Sequence, residues 1–255
     1  MAEPKIILFD IETSHNIVAS FRLSNDDYIP HTNIIQERYV ICAAWKELHK
    51  PTIHAVSTLD DPRRYKRTPH DDYHVIKTLR DVLSEADVIV AHNGDQYDIK
   101  FLNARALAHG FQPLPPIQSI DTYKVAKQQF LLNSNRLDYL GAFLGLGRKI
   151  KTDVELWLGV LRGEPEAVRK MVTYNKQDVV LLEKVFLKLQ PYIPNHVNRQ
   201  LYGGSGCPRC DSLKVQARGF HKTITQIYQR WHCQTCGGWY RSKRPEKNNV
   251  QVRLL

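Results

Sequence analysis

The 255-residue chain has no run of about 18 apolar residues, the length a helix needs to cross a bilayer. Its opening, MAEPKIILFD, carries an acid at position 3 and an apolar run too short for a secretory leader. Together these set the expectation of an intracellular, cytoplasmic protein (the host's cytoplasm, for a viral chain) with no membrane role. There is no internal repeat and no low-complexity segment. With 42% hydrophobic and 24% charged residues the composition is that of a soluble globular protein, and the length allows one large domain or a medium one plus a small one. Acids are scarce at the C-terminal end. From Gly203 onward only Asp211 and Glu246 oppose ten Lys/Arg, so that segment carries +8 of the chain's +10. Such density suggests a polyanion partner, most simply nucleic acid, with a solvated charged tail as the alternative on charge alone. Cysteine is also scarce: of five, four fall in the pairs CPRC and CQTC, and Cys42 in YVICAAW reads as a buried structural residue.

What is present has a legible order. Lys5 to Asp10 is an unbroken apolar run, as expected of a strand buried on both faces. YVICAAWKE and TIHAVS, joined at LHKP, are two more strands that complete an antiparallel meander with it. The polar stretch 14–33 reads as a surface insertion and DPRRYKRTPHDD as a basic loop. Val75, Leu79 and Val82 mark a helix, Val88–Ala91 a short strand, and Asn93-Gly94 a break before a helix ending near Gly110. A strand near Asp121, a helix in NRLDYLGAFLGLG and a long helix over 164–189 follow. The fold class is α/β, with a mixed sheet flanked by helices to residue 192. A linker over 193–206, a cysteine module over 207–244 and a basic tail over 245–255 complete the chain.

Residues i and i+2 of a strand share a face, so Asp10 and Glu12 project together from the end of the first strand. Asp98 falls in the first turn of a helix after Asn93, and Asp95 is placed to cap that helix. Tyr174 and Asp178 are one helical turn apart. D-x-E, then N-x-x-x-Y-D, then Y-x-x-x-D in this order resembles the three motifs of the DEDD exonucleases, DnaQ-like 3′→5′ enzymes with a ribonuclease H-like fold. The resemblance covers about residues 5–190. Its tyrosine marks the DEDDy branch, since the histidine branch would need His where Thr173 stands. RLDYLGAFLGLGRK and RGEPEAVRKMVTYNKQDVVLLEKV are similar to stand-alone exonuclease domains related to the proofreading domains of family B polymerases. Tyr97 stands where Phe is common.

The resemblance implies two Mg²⁺ or Mn²⁺ ions, and oxygen-only ligands suit those hard cations. Asp10 would bridge both, Glu12 and Asp178 would complete the water-activating ion, and Asp98 would hold the ion on the leaving-group side. Tyr174, with an ordinary pKa near 10, would orient the attacking water. Ile11, Thr13 and Asn93 would touch the terminal nucleotide, His92 would be an ordinary hydrogen-bonded histidine, and Asp121 either supports the site or merely ends its strand. Arg63–Arg67 and Arg148, Lys149 and Lys151 are loop charges that either grip phosphates or are simply solvated.

Two C-x-x-C pairs 22 residues apart are a zinc signal: Cys207, Cys210, Cys233 and Cys236 resemble the ligands of a zinc ribbon around one structural Zn²⁺. A module this small has little core, so the metal would stabilise it. Arg230, Trp231, Trp239 and Arg241 interleave aromatic and basic side chains as single-strand binders do; the alternative is a protein dock. The whole reads as a metal-dependent 3′→5′ exonuclease, single-stranded DNA first and RNA open, with a replication or repair protein as a possible partner. The competing readings are a ribonuclease H-like endonuclease or RNase, and a non-catalytic nucleic-acid-binding or replisome adaptor.

Overall fold

The computed structural model describes residues 3–20, 29–150 and 152–246. In chain order the elements are β1 (Ile6–Thr13), β2 (Ile17–Val18), β3 (Ile34–Gln36), β4 (Val40–Glu47), β5 (His54–Ser57), α1 (Pro62–Arg67), α2 (Tyr73–Ser84), β6 (Val88–Ala91), α3 (Asp98–Ala108) and β7 (Gln118–Asp121). Then come α4 (Thr122–Gln129), α5 (Leu137–Phe143), α6 (Val154–Leu161), α7 (Pro165–Leu189), β8 (Val215–Lys222), β9 (Ile227–Cys233) and β10 (Trp239–Arg241). The chain forms two compact units: one comprises 5–124 and 132–185, the other 1–4, 125–131 and 186–255. No helix among the described residues is long and apolar enough to cross a membrane.

The first unit is built on a mixed sheet of order β5-β4-β1-β6-β7. β1 pairs antiparallel with β4, and β4 with β5, which is the expected meander; β1–β6 and β6–β7 are parallel. β1 lies between two strands and between two layers, which is why its sequence is apolar without alternation. Its side chains still alternate. Ile7, Phe9 and Ile11 pack into a cluster with Val75, Ile76 and Leu79 of α2 and Leu102 and Ala106 of α3. Asp10 and Glu12 therefore fall on the opposite face, where a second cluster joins Ile41 and Cys42 of β4 to Val168 and Met171 of α7. Opposite Asp10 in register is Ala44, and opposite Glu12 is Cys42, small residues that leave room for carboxylates. Beyond Glu12 the pairing slips by one residue, with Ile41 of β4 as the extra member of a bulge.

The structure departs from the sequence expectation in several places, and α4 and α6 are helices that the pattern did not announce. The basic stretch after Asp61 is not loop throughout: Asp61 accepts the Arg64 amide at 3.1 Å and Pro62 opens α1. Arg64 there is bound to Asp71 and stacks on Tyr73, and Arg67 also pairs with Asp71. The insertion after β1 carries β2, which pairs with β3 just beyond its end, while residues 21–28 of it lie outside the described residues. Asp95 does not cap α3, whose cap position is Tyr97; it accepts Ser119 Oγ at 2.5 Å and pairs with Lys124 at 2.7 Å.

The second unit carries the cysteines on an antiparallel sheet of order β10-β9-β8. In the stretch 193–206, Ile193 and Val197 are buried, and Arg209 donates to the carbonyls of Gln190 and Ile193 at 2.7 and 2.6 Å. Of the basic tail, residues 247–255 lie outside the described residues.

Candidate metal centres

The parallel strands β1, β6 and β7 run in one direction, so their C-terminal ends meet at one edge of the sheet, the usual place for a site in α/β proteins. β1 brings Asp10 and Glu12. α7, packed across that face, brings Tyr174, Asn175 and Asp178. Asp10, Glu12 and Asp178 each offer a carboxylate oxygen, and these atoms lie within 4.8 Å of one another. Asp98, at the start of α3, is held beside them: its Oδ1 accepts the Ile11 amide at 3.2 Å. Asn93, just after β6, takes a left-handed backbone (φ 65°), and its carbonyl accepts the amides of Gln96 and Tyr97. That turn is fixed from below by buried Asp121, which accepts the amides of Asn93, Asp95, Tyr123 and Lys124. Asp121 thus positions the approach to α3.

Four carboxylates this close are poorly compatible when all are charged. Burial first, then the charges of Asp98, Glu12 and Asp178, push the Asp10 carboxyl well above the ordinary range, with Lys149 opposing. Burial and the Asp178 charge push Glu12 up to about 8. Burial lifts Asp98 to about 7 although backbone amides bond to it, and burial also raises Asp178. Asp178 Oδ1 is buried without a hydrogen-bond partner. An orphaned carboxylate oxygen among acids that resist ionisation fits a set of donors built for hard cations.

Two neighbours have no place in the three motifs. Lys149, in the loop after α5, donates to Asp178 Oδ2 at 2.5 Å and lies 3.4 Å from the Tyr174 hydroxyl. Burial disfavours its charge, yet Asp10 and Asp178 hold its pKa above the ordinary value. Lys149 is therefore held against the acid cluster, partly exposed, rather than free on its loop; Lys151 lies outside the described residues. Asn175, fully buried, donates from Nδ2 to Asp10 Oδ2 at 2.6 Å and accepts from the Cys42 thiol at 3.9 Å. The only sequence hint of Asn175 was a polar residue next to Tyr174 on a helix whose next turn carries Asp178. The Tyr174 hydroxyl is pushed up to about 12 by burial and stays protonated. His92 bonds Thr122 at 2.9 Å, and burial pushes it down to about 4.

A groove of about 580 Å³ opens beside Glu12, lined by Ile11, Thr13, His15, Arg38, Tyr97 and Trp157 among others. Thr13 Oγ1 and the Tyr97 hydroxyl share a hydrogen bond of 2.6 Å, and the Arg38 guanidinium stacks on Tyr97 and Phe101. Ile11 and Thr13 thus reach the groove, and Asn93 does not line it.

The cysteines sit on two matching turns. Asp211 and Gly237, each one residue past a C-x-x-C pair, are left-handed (φ 57° and 73°), and each amide bonds back to the carbonyl of the first cysteine of its pair. Cys207–Cys236 and Cys210–Cys233 have sulfurs 3.8 and 3.7 Å apart. Ligands about 2.3 Å from a tetrahedral Zn²⁺ are about 3.8 Å from each other, so these four fit that ion. Of the four residues expected to bind nucleic acid in this module, Arg230, Trp239 and Arg241 occupy one face of the sheet in register, while Trp231 pairs with Tyr240 on the other.

The profile of the RNase H superfamily matches residues 50–190, just over half of the chain. No curated protein matches the sequence. Among solved structures, the chain is similar to the family B DNA polymerase from the hyperthermophilic archaeon Pyrobaculum calidifontis, with a TM-score of 0.52 and 17% identity. The alignment covers 75% of this chain and 26% of the polymerase, so the chain spans about a quarter of that protein's length, and the likeness is one of fold.

Proposed function

The chain belongs to the RNase H superfamily, and we propose that it is a metal-dependent 3′→5′ exonuclease of the DEDDy type, acting on single-stranded nucleic acid, DNA first. The convergence of Asp10, Glu12 and Asp178 within 4.8 Å, with Tyr174 one turn before Asp178 on the same helix, carries the reading. Two Mg²⁺ or Mn²⁺ ions held by Asp10, Glu12, Asp98 and Asp178 would supply charge relief to the phosphodiester and a lower pKa to the attacking water. The remaining work falls to the chain. Asn175 fixes the rotamer of Asp10 through its 2.6 Å bond, and the Ile11 amide does the same for Asp98. Tyr174, kept protonated, orients the water rather than deprotonating it. Lys149 balances the acids and offers a cationic donor to the phosphate. The groove beside Glu12 receives the terminal nucleoside, with Ile11 as apolar floor and the Thr13–Tyr97 hydroxyl pair facing its sugar. The module over 207–244 holds one structural Zn²⁺ on its four cysteines and aids substrate binding.

The test is a strand labelled at its 5′ end, as DNA and as RNA, incubated with Mg²⁺, Mn²⁺ or EDTA beside Asp10→Ala. A ladder shortening from the 3′ end, absent in EDTA and in the variant, is expected. Discrete internal cuts would make the protein an endonuclease, and binding without cleavage an adaptor.

A further inference from the structure

We propose that one face of the C-terminal sheet, formed by Arg230, His232, Trp239 and Arg241, is a binding site for single-stranded nucleic acid. The strand register places these side chains together: Trp239 stands opposite His232 and Arg241 opposite Arg230. The two rings are stacked, with centroids 4.4 Å apart and planes 20° from parallel, yet Trp239 remains 47% exposed. The Arg230 guanidinium lies 5.0 Å from the Trp239 ring, and Arg241 covers Tyr228 at 3.8 Å. Arg230 is further tied by a 2.9 Å bond from Nε to the Arg218 carbonyl.

Each of these interactions fixes a group in the pose a single strand requires. A guanidinium stacked on a ring loses the freedom of its plane but keeps N–H edges for phosphate oxygens. A tryptophan held against a histidine presents a rigid second ring edge and face to an unpaired base. The charge agrees, since from residue 203 onward only two acids oppose ten Lys/Arg. A duplex hides its base faces and would have no use for the rings. Tryptophan and arginine also serve protein interfaces, so the excess of positive charge is what favours a polyanion here. Trp231 belongs to the opposite face and is half-buried there, so it is not part of this surface. Phe220, 52% exposed and paired with Gln229 on that opposite face, is a control for surface aromatics in general.

The inference deepens the nuclease reading and rests on it only for the choice of nucleic acid as partner. The full chain carrying Asp10→Ala, which prevents hydrolysis, is titrated into a fluorescein-labelled oligothymidylate and into a blunt duplex over a range of salt. Zinc content is measured for every variant. Trp239→Leu should weaken strand binding about tenfold, with Trp239→Phe restoring most of it. Arg230→Gln with Arg241→Gln should reduce the salt slope by about 0.7 for each phosphate that is no longer neutralised. Phe220→Ser should leave both quantities unchanged. If Trp239→Leu loses zinc, the exposed arginine pair decides. Unchanged strand affinity and salt slope in the face variants, an equal loss in Phe220→Ser, or tighter binding to the duplex would each overturn the proposal. Hydrolysis of a short oligonucleotide by the chain with Asp10 intact is followed in parallel. Its absence would sink the nuclease reading and leave the titration to judge this face; its presence with unaltered strand affinity would sink this face alone.

Discussion

Asn175 has no exposed surface, and its amide joins Asp10 to Cys42 across the gap between α7 and the sheet. A hydrogen bond to a charged group contributes about 1.5–3 kcal/mol, and here it sets the direction of a carboxylate. Asn175→Ala should lower kcat by about 10- to 100-fold with KM little changed, read by steady-state kinetics in Mg²⁺, while the far-ultraviolet circular dichroism stays that of the parent. Tyr174→Phe keeps the ring and removes the hydroxyl that orients the water, so turnover should fall by about 10- to 100-fold with unaltered Mn²⁺ affinity. Because burial pushes that hydroxyl up to about 12, the pH–rate profile should show no tyrosine limb below about 10 in the parent. A limb near the ordinary tyrosine value, lost in Tyr174→Phe, would instead make the residue a base.

Elements decide which of these groups could be foreseen. β1 is legible because an unalternating apolar run has one economical explanation, and α7 because its apolar stripe persists for six turns around Tyr174 and Asp178. α1 escaped because PRRYKR has no apolar face to read, and its helix is set by the Asp61 cap and Pro62. Lys149 escaped because its partner is Asp178, on an element 29 positions later, and no local pattern announces a tertiary ion pair. The two faces of the C-terminal sheet separate Trp231 from Trp239 only through the β9–β10 register, which depends on where each strand begins. The turn after β6 offers a test of an element's geometry. A Cβ on Gly94 would stand 2.4 Å from the Ala91 Cβ, a distance that real side chains do not tolerate. Gly94→Ala should displace the Asn93 turn and with it Asp98. The expected cost is about 1–3 kcal/mol in a denaturant melt, together with a loss of hydrolysis.

The molecule as a whole has two cores of different origin. The sheet unit buries large apolar clusters on both faces of β1, whereas most of β8 is exposed and the module depends on its cysteines. A zinc chelator should therefore melt the C-terminal module first: calorimetry should resolve an early transition that added zinc removes, while the sheet unit unfolds as before. The acid cluster makes a second whole-molecule prediction, for protein freed of divalent ions. Burial pushes Glu12 up to about 8 and Asp98 up to about 7 in the folded chain, against about 4 when unfolded, so the folded state binds protons more tightly. Their contribution is fully present below about pH 4 and is lost as the pH climbs through 7 to 8. In EDTA the parent should lose thermal stability between pH 5 and 8 relative to Glu12→Gln, and Mg²⁺ should remove that difference. Equal slopes in the two proteins would contradict the cluster's electrostatics.

The bulge after Glu12 bears on how this chain can change over generations. Up to that point β1 is clamped, by β4 over 7–12 and by β6 over 6–8, and its two faces serve different ends. One residue added between Ile7 and Asp10 would turn Asp10 into the α2–α3 core and send Ile11 among the acids. Past the slip at Ile41 the pairing is reset by one residue, with Thr13 opposite Val40 and Ser14 bonded to Tyr39. Gains and losses of length are thus barred before residue 13, whereas the β2–β3 ladder that follows is separate from the five-stranded sheet and sets no register within it.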